Sequence, residues 1–184
     1  MTAGFSRRGQ SVQVKLRPNE AEALRSMAGE FISLVAPLRR LTGDDLADIV
    51  AAAFGDDWAA MAPPTDPALR RLFPNAYRND RSASDEFRRY TQTDQAAAKI
   101  VAAETMADDI ANDDDGWIVV PPDHTDAWLI TLTNLRLVLA ARLGLQEEAD
   151  TARLARLAPT DPLAPTVAVY DWCSWLLESL VDCL

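Results

Sequence analysis

The residues best suited to chemistry are charged and crowd into one short stretch. AYRNDRSASDEFRRYT, Ala76 to Thr91, holds four arginines and three acids among two tyrosines and a phenylalanine. Guanidinium groups such as those of Arg78, Arg81 and Arg89 suit bidentate contact with carboxylate or phosphate. The acids Asp80, Asp85 and Glu86 lie within helical reach of the same arginines. On a helix Asp85 meets Arg88 at i+3 and Arg89 at i+4, and Glu86 meets Arg89 at i+3. Each such exposed pair stabilises a helix by roughly 0.2–0.5 kcal/mol. The cluster therefore has two readings, an internal ion-pair network or a partner-binding surface. Phe87 and Tyr90 share a face and are expected to point to the core. Arg136 poses the same question from inside, because LTNLRLVLAARL flanks it with Leu135 and Leu137. An arginine in so apolar a helix must reach the surface or find an acid, since stranding a buried charge costs about 3–5 kcal/mol. Asp80, Asp85 and Glu86 are the first candidates to pair with Arg136 and Arg142.

Other chemistries find less support. The single histidine, His124, follows Pro122 and Asp123 at a helix start. It reads as an exposed residue of the first turn, where the helix dipole gives imidazolium no advantage. Within ANDDDGWIVVPPD, Asp113, Asp115 and Gly116 fall at calcium-loop positions. Ala111 and Pro122, however, occupy the first and twelfth positions, where the strongest ligands belong. A solvated acidic turn fits better, and no metal site is expected. The seven glycines form neither a GxGxxG nor a phosphate-binding loop, so no cofactor is called for. Carboxylates abound without one pair standing out, which leaves a small-molecule enzyme as the third-ranked reading and assigns no catalytic residue.

Net charge narrows the partners. At −10, with a pI near 4.5, the chain repels phosphate backbones and anionic membranes. Arg70, Arg71, Arg78, Arg81, Arg88 and Arg89 oppose that trend, so a nucleic-acid-binding regulator acting through Arg70–Arg89 is the second reading. Cys173 and Cys183 lie ten residues apart, about 15 Å along one helix, too far for a mutual disulfide. They read as reduced thiols, and the opening MTAGFSRRGQ lacks the apolar run of a signal peptide. A cytoplasmic location is expected.

The elements that position these residues follow from period and punctuation. Val12, Val14 and Leu16 alternate with Gln13, Lys15 and Arg17, the period of a half-exposed strand. Phe5 and RRGQS before it suggest a hairpin. Pro18 ends the strand, and Asn19 with Glu22 resembles a capping box that opens a helix reaching toward Pro37. A second helix is predicted from about Asp44 to Phe54. Asp66-Pro67 forms an N-cap and N1 proline for a short helix to Leu72. Ser82 with Asp85 opens a helix running to Ile110, with a break expected near Thr93-Asp94. WIVV, Trp117 to Val120, is a short buried strand expected to pair with the hairpin. Asp123 to Leu143 is apolar nearly all round and is the central helix. A short helix covers about Gln146 to Leu157, and another about Pro165 to Val181. In the last, Trp172 and Trp175 at i+3 face either the core or a partner. The expected fold is one domain, 1–184, mainly α with a small antiparallel β element.

LFPNAYRNDRSASDEFRRYT, WLITLTNLRLVLAARLGLQEE and YDWCSWLLESLV together resemble an actinobacterial family of domains of unknown function, across nearly the whole chain. The EFRR block and the LRL…RL block carry most of that resemblance. It implies a compact cytoplasmic protein without an assigned activity. Genes of that family often lie near that of the ClpS adaptor, which by association implies a link to protein turnover. The leading reading is a non-catalytic regulatory or protein-interaction protein of adaptor type. Its partner is a protein, either a second copy of the chain or a Clp-related component.

Overall fold

In the computed structural model, residues 4–39, 64–77, 79–113 and 115–184 are described; the predicted helix Asp44 to Phe54 lies outside them. Strands β1 (Ser6–Arg8), β2 (Ser11–Lys15) and β3 (Trp117–Val120) form an antiparallel sheet in the order β1-β2-β3. Val12 sits opposite Val120 and Val14 opposite Ile118. The expected pairing of the hairpin with WIVV is therefore observed. Gly9 opens the two-residue hairpin loop at φ 65°, a conformation that glycine adopts without steric cost.

Six α-helices follow among the described residues: α1 (Pro18–Val35), α2 (Pro67–Leu72), α3 (Arg81–Ala111), α4 (Thr125–Arg142), α5 (Glu148–Leu154) and α6 (Ala164–Val181). α4 packs against α1, α2, α3 and α6, as expected of a helix with few polar positions. Trp128 and Leu132 of α4 are fully buried, and Trp128 meets Phe5 edge-on at 5.6 Å. The buried face of the sheet, Val14, Ile118 and Val120, joins the same core. The two chain ends also meet: Phe5 N–H donates to Ser179 Oγ at 3.2 Å, and Arg7 Nη2 to the Leu184 carbonyl at 2.7 Å.

Local chemistry moved three expected boundaries. α1 is capped at Arg17, whose N–H donates to Glu20 Oε2 at 2.8 Å, so Asn19 and Glu22 are not its capping pair. Pro18 occupies the first helical position, where its missing N–H costs nothing. α3 is capped by Asp80, which accepts from Ala83 N–H at 2.9 Å, and not by Ser82. α3 also continues through Thr93-Asp94 for 31 residues, because Ala96, Ile100, Ala103 and Met106 bury one continuous stripe against the core. For α2 the expected cap holds, with Asp66 accepting from Ala68 and Leu69 N–H groups.

Candidate functional site

The charged stretch is the junction between the loop after α2 and the first turns of α3. Its helical phase is set further along. Stepping back by four from Ile100 gives Ala96, Gln92, Arg88 and Ser84, and all of them are buried. Ser84 Oγ accepts from Tyr77 N–H at 3.1 Å and donates to the Tyr77 carbonyl at 2.8 Å. Arg88 donates through Nη2 to Asn75 Oδ1. The buried arginine of the cluster is thus Arg88, and a neutral amide holds it.

That phase turns Phe87 and Tyr90 outward, against the expectation that they face the core. They are 43% and 70% exposed, and Tyr77 is 51% exposed. Tyr77 and Phe87 stack edge to face at 6.4 Å. Around them, Arg81 and Asp85 approach at 4.0 Å, in place of the expected Asp85 and Glu86 contacts with Arg88 and Arg89. Glu86 and Arg89 are exposed and form no ion pair among the described residues. Asp80 is occupied as the cap, and Arg78 lies outside the described residues. The result is an exposed aromatic surface carrying at least one uncommitted guanidinium.

Arg136 and Arg142 lie elsewhere, on the last turns of α4. Arg142 pairs with Asp66 at 2.8 Å, an acid different from the three first candidates. Arg136 forms no ion pair among the described residues; its guanidinium stands over the Tyr170 ring at 5.9 Å, and its Nε is buried without a hydrogen-bond partner. The expectation of an internal acid for Arg136 is not met: Asp80 caps α3 and Asp85 approaches Arg81, both on an element other than the one that faces Arg136. Arg136 instead lines a cavity of about 330 Å³ together with Arg71. The arginines of 70–89 are therefore divided: Arg70 bonds the Thr65 carbonyl, Arg71 turns to this cavity, and Arg88 is buried. Of the terminal tryptophans, Trp172 packs on the core and Trp175 is 38% exposed.

Sequence reasoning missed a second cluster. Asp109 of α3 accepts from Trp128 Nε1 at 2.8 Å, and His124 Nδ1 lies 2.9 Å from its Oδ1. The hydrogen bond to Asp109 is the largest effect raising the His124 pKa, opposed by burial and assisted by the charges of Asp109 and Asp123. His124 thus has a charge partner, contrary to expectation. The available signal was the i+4 spacing of His124 and Trp128, which points both rings to one side. A larger groove of about 840 Å³ lies where β2 enters α1, lined by Lys15, Arg17, Arg25, Glu22, Asp113 and Trp117. Its charges alternate in sign, and Arg17 and Arg25 already pair with Glu20 and Glu22. Among the described residues no three His, Cys, Asp or Glu side chains converge on a point where a metal could sit, and no helix is long and apolar enough to cross a membrane.

Fold and site define a mainly helical domain with an exposed aromatic and arginine surface. The chain belongs to the family described as domain of unknown function (DUF2017), whose model matches residues 1–184. It is similar to the oxidative stress regulator AosR of Mycobacterium tuberculosis (strain ATCC 25618 / H37Rv), 30% identical over 190 residues that cover 96% of this chain and 83% of the relative. The oxidative stress regulator AosR of Mycobacterium bovis matches to the same extent. No solved structure matches the chain.

Proposed function

We propose that this protein is a non-catalytic regulator that acts in the response to oxidative stress by docking a protein partner on the first turns of α3. The observation that carries the docking surface is the outward set Tyr77, Phe87 and Tyr90 beside Arg89. Aromatic and arginine side chains are the usual energetic anchors of protein interfaces. All three stay outside the buried core and keep about half or more of their surface in water, so their presence fits binding better than folding. The regulatory role and its setting rest on the names of the relatives. Arg70 stays on the surface beside the Thr65 carbonyl, Arg71 lines a separate cavity and Arg88 is buried against Asn75, a division that disfavours the continuous basic track that suits nucleic acid. A link to protein turnover belongs to this proposal only through the gene neighbourhood of such families, with a Clp-related component as one partner to test.

The test is complementation. Cells lacking the gene are expected to be more sensitive to peroxide, and the wild-type gene to restore them. Phe87→Ala/Tyr90→Ala is expected to fail to restore, although exposed substitutions of this kind shift stability by only about 0.5 kcal/mol. Full restoration by a stably folded double variant would sink the docking surface. Light scattering separates the candidate partners: a two-chain mass that reverts to one chain in the double variant assigns a second copy.

A further inference from the structure

The cavity lined by Arg71 and Arg136 is distinct from the α3 surface and has its own chemistry. It is bounded by α2, α4, α5, α6 and the turn at 145–147. Arg71, Arg136, Gln146 and Tyr170 supply its polar wall, and Leu137 and Leu145 an apolar one. Its volume of about 330 Å³ falls at the lower end of small-molecule sites, which span about 300–1,000 Å³.

Its charge is unbalanced. Two guanidinium groups line it against a single carboxylate, Glu147, within a chain of net charge −10. Acids are therefore plentiful, and nearby Arg142 has taken one, Asp66. Arg71 and Arg136 have no ion pair among the described residues. The buried Nε of Arg136 lacks any hydrogen-bond partner, although buried donors are nearly always satisfied. The Arg136 guanidinium lies 5.9 Å from the Tyr170 ring centroid, a favourable contact that leaves its hydrogen-bond donors free for a ligand. An unpaired guanidinium with a buried, unsatisfied Nε, lining the same cavity as a second arginine, is suited to a carboxylate or phosphate group, which arginine recognises through paired hydrogen bonds.

We propose that this cavity binds a small molecule bearing an oxyanion, its charged group held by Arg136 and Arg71 and its organic part against Leu137 and Leu145. Two probes, sodium phosphate and sodium acetate, test the shared chemistry and distinguish tetrahedral from planar anions. The Nε–H resonance of Arg136 is followed by NMR during each titration at constant ionic strength, with sodium chloride as reference. The expected result is a saturable shift with at least one probe, absent in chloride. It is expected to weaken about tenfold in Arg71→Gln, the loss of one charge-assisted contact, and to be unchanged in Arg142→Gln. Arg71 lies on a short surface helix, so its variant keeps the test valid should Arg136→Gln fail to fold. A response that is linear and equal to that in chloride, or one that Arg71→Gln leaves intact, overturns the proposal.

Discussion

The chain has one histidine, so the contact between His124 and Asp109 can be read directly by NMR. The His124 pKa is raised on folding, first by the hydrogen bond to Asp109. A group raised in this way stabilises the fold in its protonated form. Its contribution is complete below the unfolded value of about 6.5 and is lost as pH rises through the higher folded value. The imidazole signal is expected to titrate above the midpoint of the unfolded chain, and Asp109→Asn to bring it back down. A native midpoint at or below the unfolded one would show that the contact does not form in solution. Asp109 also serves the fully buried Trp128. Asp109→Ala leaves the indole N–H without an acceptor, and a urea unfolding curve is expected to show a loss of about 1–3 kcal/mol. Of this residue-scale detail, the sequence displayed the helix start at His124 but not the carboxylate fifteen positions earlier. Contacts across two helices depend on how the helices cross.

At the scale of elements, two glycines with similar backbones are expected to respond differently. Gly116 has φ 78°, and a Cβ there would stand 2.9 Å from the Leu16 carbonyl oxygen. That oxygen cannot retreat easily, because Leu16 N–H is bonded to the Gly116 carbonyl at 3.0 Å, just beyond the last pair of the β2–β3 ladder. Gly144, with φ 68°, has open space around it after α4. Gly144→Ala is expected to cost about 1–2 kcal/mol, the conformational strain alone, and Gly116→Ala distinctly more. Equal shifts in thermal midpoint would mean that the β2–β3 junction relaxes freely. The caps of α2 and the hairpin turn were legible in advance, since each depends on residues within a few positions. The azimuth of α3 was not. Phe87 and Tyr90 satisfy a local amphipathic pattern, yet the downstream stripe through Ile100 and Met106 overrules them because it buries far more apolar surface.

For the whole molecule, the two thiols report on how the chain ends are packed. Burial pushes the Cys173 pKa up to about 12, with the Arg136 charge pulling weakly the other way. Its thiolate, the reactive form, is scarce at neutral pH. Cys183 is only half-buried, next to the junction of Phe5 and Arg7 with α6 and the C-terminal carbonyl. Alkylation of the native protein followed by mass spectrometry is expected to label Cys183 first and Cys173 only on unfolding. Faster labelling of Cys173 would show that α6 detaches from α4 in solution.

What the sequence determined by itself was local: the hairpin and its pairing strand, the central apolar α4, the cap of α2, and the acidic charge that disfavours phosphate backbones. These follow from period, punctuation and summed charge, which act within a few residues or over the whole chain. The tertiary structure decided the middle range. It buried Arg88 instead of Phe87, gave Asp109 to His124 and Trp128, and left Arg136 over Tyr170 in a cavity shared with Arg71, with no ion pair among the described residues. A helix states which residues share a face, but only its neighbours decide which face is turned inward.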